Sequence, residues 1–332
     1  MKLFEVIPQN PIWLGGLKHI TAGDEHYMRS VFLPNIMRFF KFVKKEKERK
    51  GACYGVFLAK DENLLLPAPA DIVGKRKTGG DWRILKLEGR IPLIKRTLEA
   101  YETVSGYLIK SEAFNKWIEY KNLSNNDFQK LNDLIDVDRR TGIKIDREEG
   151  TAEEGFLYTQ ERIRLKEGVK LLFLARECYK KEGFFGGERN PATIREVSKN
   201  YEKSLKEIFQ GSVKVERGKI YRFYLTSHTY LNASLEVDSL EKNITIRDFQ
   251  GEKIDFKVLW LFSAGTEFIS GFGKPALNML KPGTVFLLEA LESGRLNKLC
   301  QIFAEPLVNK VERFLDSGWN SGLLISEGGS NS

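Results

Sequence analysis

The sequence is poor in the residues that build covalent or metal-bound scaffolds. Its 332 residues include three cysteines, Cys53, Cys178 and Cys300, far apart, odd in number and without a C-x-x-C pair. No disulfide framework or zinc site can be read from such spacing. Histidine is equally scarce, at His19, His26 and His228, and no His, Lys and Tyr constellation recurs around them to suggest acid-base catalysis. No apolar run approaches the roughly 18 residues of a membrane span, and the start MKLFEVIPQNP lacks the apolar core of a signal peptide. The chain is therefore expected in the reducing cytoplasm. No G-x-G-x-x-G follows the first strand-like run and no G-x-x-x-x-G-K-[ST] occurs, which argues against dinucleotide binding and nucleotide hydrolysis.

What is present is a globular composition with a basic excess. Hydrophobic residues make up 42% and charged ones 30%, enough for a substantial core and against pervasive disorder. The length exceeds one ordinary domain, so two domains or large insertions are expected. Lys and Arg number 53 against 45 Asp and Glu, a net charge of +8. Such an excess favours a polyanionic partner, and without a lipid-binding signature nucleic acid is the better reading.

Along the chain, KLFEVIP alternates as a strand stopped by Pro8 and Pro11. The segment from Pro34 carries a helical stripe of Ile36, Phe39, Phe40 and Val43. CYGVFLA reads as the next strand, and LLLPAPAD, with Pro67 and Pro69, as an extended loop rather than a central strand. Helices are predicted over 92–104 and 112–121, with NLSNND as a linker-like break. LLFLA reads as a buried strand and YEKSLKEIF as a short amphipathic helix. The remainder is strand-rich (GSVKVER, KIYRFYLTS, SLEVDSL, NITIRDF, FKVLWLFS, TEFISGF, TVFLLEAL) before a last helix, PLVNKVERFL. The pattern is α+β with antiparallel sheets; strand and helix do not alternate as a doubly wound parallel sheet requires.

The segment from Asp138 to Tyr158, DRRTGIKIDREEGTAEEGFLY, holds ten charged residues and three glycines. Its six carboxylates, Asp138, Asp146, Glu148, Glu149, Glu153 and Glu154, do not match the calcium-loop spacing and lie among Arg139, Arg140, Lys144 and Arg147, so no metal is expected. A β-hairpin with an exposed tip fits better. On its second strand Leu157, Ile163 and Leu165 fall on one face and Phe156, Tyr158, Arg162 and Arg164 on the other, an aromatic and guanidinium alternation suited to bases and phosphates. Gly15-Gly16, Gly79-Gly80, Gly186-Gly187 and SGFGK offer turns whose N–H groups can meet phosphate oxygens.

The succession VIPQNPIWLGG, SVFLPN, LLLPAPADIV, RTGIKIDREEGTAEEGFLY, GFFGGER and FISGFGKP…LKPGTVFLLEAL, from about Ile7 to Leu291, resembles the CRISPR-associated RAMP proteins that form the third subunit of type III-B (Cmr) effector complexes. The resemblance implies two ferredoxin-like (RRM-like) domains with antiparallel sheets and large insertions, taken here as 1–200, with inserted loops, helices and a thumb-like hairpin, and 201–332. It implies a non-catalytic RNA-binding subunit that needs no cofactor or metal. Such a subunit grips the 5′ tag of CRISPR RNA and docks beside the large polymerase-palm subunit and a neighbouring RAMP backbone subunit, with no membrane partner. The family's usual Pro-Leu-Asp-Pro start is Pro8-Gln9-Asn10-Pro11 here, and its Gly-Trp-Asp is Gly271-Phe272-Gly273.

Charge and motif position single out Lys75, Arg76, Arg139, Arg140, Lys144, Arg189 and Lys274 for RNA contact. Gly186, Gly187, Gly271 and Gly273 are expected to shape the backbone around the RNA. Two alternatives stay open: a RAMP endoribonuclease using His19, His26 or His228, and a protein-only assembly module.

Overall fold

The computed structural model describes residues 1–15, 18–19, 26–28, 30–44, 52–75, 81–88, 91–93, 101–104, 106–145, 152–187, 189–231, 243–271, 274–304 and 315–327. Strand β1 (Lys2–Pro8) stops at Pro8, which has no N–H to extend a ladder. A 3-10 turn (Ile36–Arg38) and the short helix α1 (Phe40–Val43) lead into β2 (Cys53–Lys60) and β3 (Asn63–Pro67). Strand β4 (Tyr107–Lys110), helix α2 (Ser111–Ile118) and β5 (Phe128–Lys130) follow. After them come the long strands β6 (Ile135–Ile145) and β7 (Ala152–Leu165), then β8 (Lys170–Ala175), β9 (Glu182–Phe184) and β10 (Pro191–Glu196).

Eight of these form one sheet in the order β5-β4-β3-β2-β8-β1-β10-β9, every neighbouring pair antiparallel. Strand β8 sits between β1 and β2, so these three strands and the α1 crossover make a split β-α-β unit. The central strands are buried on both faces, which explains why CYGVFLA and LLFLA are continuous apolar runs. Along β8, Leu171 and Phe173 pack with Phe39 and Phe42 on one side, whereas Leu172 and Leu174 pack with Phe57, Leu287 and Leu323 on the other.

The second half is a closed antiparallel barrel. Its strands are β11 (Ile220–Leu225), β12 (Asn243–Asp248), β13 (Lys253–Phe262), β16 (Val285–Ala290), β17 (Leu299–Phe303) and β18 (Ser321–Ser326), in the order β11-β16-β13-β12-β17-β18. Between β13 and β16 the chain forms a separate hairpin, β14 (Thr266–Gly271) with β15 (Lys274–Leu280). Strand β11 serves two cores: Tyr221, Phe223 and Leu225 point into the barrel, while Tyr224 packs outward on Phe114 and Trp117 of α2. One apolar core is thus shared by the sheet and the outer face of the barrel, beside a separate core inside the barrel.

Several sequence expectations change. LLLPAPAD is not merely a loop: β3 is paired on both sides, and only Pro67 and Pro69 end it. Residues 91–93 and 101–103 are strand, not helix. The stripe before β2 buries Phe42 rather than Phe40, because a 3-10 turn advances 120° per residue and shifts the phase of the helix that follows. NLSNND is a compact turn, with Ser124 and Asp127 in a capping box and Lys116 2.8 Å from Asp127. YEKSLKEIF is helical, as an irregular run over 198–209 that buries Leu205, Ile208 and Phe209. SLEVDSL and most of PLVNKVERFL lie outside the described residues. Among those described, no helix is long and apolar enough to cross a membrane, and no three His, Cys, Asp or Glu residues are grouped to hold a metal ion.

Candidate nucleic-acid interface

Strands β6 and β7 form the expected hairpin, longer than the sequence suggested, in register from Ile135 opposite Leu165 to Ile143 opposite Leu157. Opposed residues share a face and successive residues alternate. Ile135, Arg139, Glu161 and Ile163 therefore fall on one face, and Arg140, Arg162 and Arg164 on the other. Ile135 and Ile163 are buried and root the hairpin in the core that holds Phe39 and Phe173.

The chain after β1 acts as a strap. Ile12 and Ile163 exchange two backbone hydrogen bonds, each 2.7 Å. The Ser30 hydroxyl donates to Glu161 O at 2.6 Å, and His26–Met28 pair in parallel with Tyr158–Gln160. On its other side the strap meets the turn before β10: Gly187 N–H donates to Trp13 O (2.7 Å), and the Asn190 amide donates to Asn10 O (2.8 Å). The Asn10 amide in turn donates to Asn190 Oδ1 at 3.3 Å. An aspartate, which the resemblance leads one to expect at this position, has no N–H to give. Arg38 fastens the far end of the strap by donating to Leu14 O. Burial lowers the Arg38 pKa, and Glu267 opposes that pull.

This end of the sheet presents Arg140 and Arg164 from the hairpin and Arg189 from the turn, all exposed. Carboxylates temper the charge: Arg140 lies 3.4 Å from Asp138, Arg139 3.6 Å from Glu161 and Lys166 3.8 Å from Asp136. Of these, the Arg140–Asp138 and Lys166–Asp136 pairs are open to solvent and hold their partners weakly, by about 1 kcal/mol or less. A phosphate can displace them.

The structure separates the predicted residues into groups. Arg139 and Arg140 occupy opposite faces and cannot meet the same strand from one side. Lys144 lies at the bulge between Ile143 and Ile145, and its side chain is outside the description, as are those of Phe156 and Tyr158. Gly271 opposes Lys274 in the β14–β15 hairpin, whose Ile269, Leu277 and Met279 share a core with Ile12 and Leu14. Lys75 is not brought to the strap; it ends the strand Ile72–Lys75 in a three-stranded sheet and lies 3.4 Å from Asp81. Arg76, Phe272 and Gly273 lie outside the described residues.

Gly186 and Gly187 do shape a close approach, to protein. A Cβ on Gly186 (φ +77°) would lie 2.6 Å from Ile12 Cγ2, and one on Gly187 2.1 Å from the Trp13 ring. With its N–H given to Trp13 O, Gly187 has no donor left for a phosphate. Both glycines are thus required by the packing of Ile12 and Trp13.

Of the three histidines, His228 is buried, with Nε2 3.1 Å from Glu267 Oε2 and Nδ1 unpartnered. His19 and His26 are described only as strand positions.

Sequence reasoning missed a buried ionic clasp. Asp71, the last residue of LPAPAD, accepts from Trp117 Nε1 at 2.9 Å and lies 3.8 Å from Arg222 Nη1, both side chains fully buried. Arg222 donates to Trp117 O and Ile118 O (3.2 and 2.6 Å) at the end of α2, where Trp117 O also accepts from Tyr120 N–H at 3.2 Å. Its guanidinium sits 4.4 Å from the Trp117 ring and 4.2 Å from that of Tyr120. Burial pushes the Asp71 carboxyl up to about 6, against the pull of Arg222 and Trp117. An aspartate directly after a Pro-Ala-Pro-Ala run was the available signal.

Among curated proteins none matches the chain. Solved structures that it resembles include a chain of the type III-B Cmr-beta complex bound to cognate target RNA and AMPPnP, at TM-score 0.47 and 14% identity, covering 86% of each chain. A chain of the Csm3-Csm4 subcomplex of the type III-A CRISPR-Cas interference complex gives a TM-score of 0.37 at 12% identity, covering 88% of this chain and 94% of that one. The family model described as CRISPR-associated protein (Cas_Cmr3) matches residues 24–327.

Proposed function

Because the chain belongs to the CRISPR-associated Cas_Cmr3 family, we propose that it is a non-catalytic RNA-binding subunit of a type III-B (Cmr) interference complex. On this reading it grips the 5′ tag of CRISPR RNA and docks beside the large polymerase-palm subunit and a RAMP backbone subunit. We read its first half as a ferredoxin-like (RRM-like) domain, a reading supported by the split β-α-β order; the second half is the closed barrel. The family match over 24–327 carries the proposal. The geometry supports it: a long hairpin, rooted by Ile163 on the Ile12 strap, brings Arg140 and Arg164 to the end of the sheet that holds Arg189.

Single-stranded RNA can lie against such a projecting, mixed-charge hairpin with its phosphates on guanidinium groups and its bases unstacked. The chemistry asked of the protein is positioning. Repeat RNA incubated with the pure protein in EDTA is therefore expected to stay intact. Cleavage that persists in EDTA and vanishes on a single His→Ala change at His19, His26 or His228 would establish the endoribonuclease instead.

A further inference from the structure

Strand β8 ends at the other end of the sheet from the strap, and there a cleft of about 680 Å³ opens between the sheet and the barrel. Arg176 and Tyr179 border it from the chain after β8, Arg247 and Phe249 from the end of β12 and the turn that follows, and Tyr54 and Asp316 are among its other lining residues. None of these residues belongs to the interface described above.

The two arginines are held in place by rings rather than by carboxylates. Arg176 Cζ lies 5.6 Å from the centroid of Phe249, its Nη2 donates to Phe249 O at 3.5 Å, and the Phe249 ring packs edge-on against Tyr54 at 4.5 Å. Arg247 Cζ lies 4.9 Å from the Phe303 ring. Both are exposed, and among the described residues neither is within ion-pair distance of an acid. The acids nearby are engaged elsewhere: Tyr179 donates to Glu177. Asp248 accepts from Gln250 N, Glu252 N and Asn297 Nδ2 at 2.8, 3.1 and 2.8 Å, which closes the β12–β13 turn. Asp316 remains on the rim, exposed.

A guanidinium seated on a ring and otherwise exposed keeps a side that can stack on a base and N–H groups that can meet a phosphate. With Glu177, Asp248 and Asp316 beside them, the two cations do not form a polyanion track. We infer that the cleft between β8 and the β12–β13 turn is a nucleotide-binding site: one base stacked against Arg176 or Arg247 and its phosphate held by the other, with Asp316 and Gln250 facing the base edge. The same chemistry admits a free nucleoside monophosphate or one unstacked nucleotide of an RNA strand.

Calorimetric titration of the full chain with AMP, tetra-adenylate and ribose 5-phosphate tests this. AMP is expected to bind saturably and ribose 5-phosphate more weakly, and Arg176→Gln or Arg247→Gln should each weaken AMP about tenfold or more, the worth of a charge-assisted contact. Both positions are exposed, so the variants should melt with the wild type. Tetra-adenylate binding more tightly than AMP assigns the site to an RNA strand; equal or weaker binding assigns it to free nucleotide. The inference is overturned if neither AMP nor tetra-adenylate binds, if ribose 5-phosphate binds as well as AMP, or if both variants bind as the wild type does. The tag-gripping reading stands or falls separately, on tag RNA and the hairpin arginines.

Discussion

Arg222→Met is expected to lower the unfolding free energy by about 3–5 kcal/mol, the usual result of removing one partner from a buried ion pair. The loss has two sources. Asp71, fully buried, is left without an opposing charge, and Ile118 O loses its Arg222 donor at the end of α2, while Trp117 O keeps only the Tyr120 N–H. The clasp sits where β11 of the barrel meets α2 of the first sheet, so weakening it loosens both halves together. The effect also depends on pH. A carboxyl whose folded pKa is raised to about 6 contributes stability that is fully present below its unfolded value and lost as pH rises through about 6. The variant should therefore fall furthest behind the wild type above pH 6, where Asp71 is ionised. Urea unfolding at acid and at neutral pH reads both effects, and adding Asp71→Leu should recover part of the loss because no charge remains buried. A single-variant loss within about 1 kcal/mol would mean that the clasp is not holding the halves.

Affinity for tag RNA is expected to fall about a hundredfold between about 50 and 200 mM salt, if roughly five phosphates are contacted at a log–log slope of about −0.7 each. The hairpin and the strap-side turn set the size of this effect. Replacing Arg140, Arg164 and Arg189 together by Gln should remove up to three contacts and flatten the slope by about 2. Each of these side chains is exposed, so the triple variant should remain folded. Scrambling the tag sequence should weaken binding without changing the slope, provided the bases are read as well as the phosphates. Salt-independent binding, or an unchanged slope in the triple variant, would move the RNA away from this end of the molecule.

How much of this could be read from the sequence depended on the physical signal in each element. The doubly buried strands β2 and β8 announce themselves as apolar runs, and the hairpin by its alternation and charge-dense tip. The match to β6 and β7 extends to the faces on which Ile163 and Arg164 lie. By contrast, Arg222 is invisible in KIYRFYLTS, because an arginine between aromatic residues reads as the solvent face of a strand. It is buried, on the outer face of the barrel, only because α2 covers that side. Gly186 and Gly187 carry the composition of a phosphate loop, yet their space is filled by Ile12 and Trp13, contacts between segments about 175 residues apart in the sequence that local pattern cannot show. Lys75 and Arg189 look alike as basic residues beside glycines. Only the sheet topology places one in a separate three-stranded sheet and the other in the turn between β9 and β10, beside the strap.

The most direct test of the account is to crosslink the assembled complex with a photoreactive nucleotide at each position of the CRISPR RNA tag and to map the attached residues. Tag nucleotides are predicted to attach to this chain on the Arg140 and Arg164 face of β6–β7 and in the turn at 185–190. Tag nucleotides attached wholly to other subunits, with this chain labelled by none of them, would contradict it.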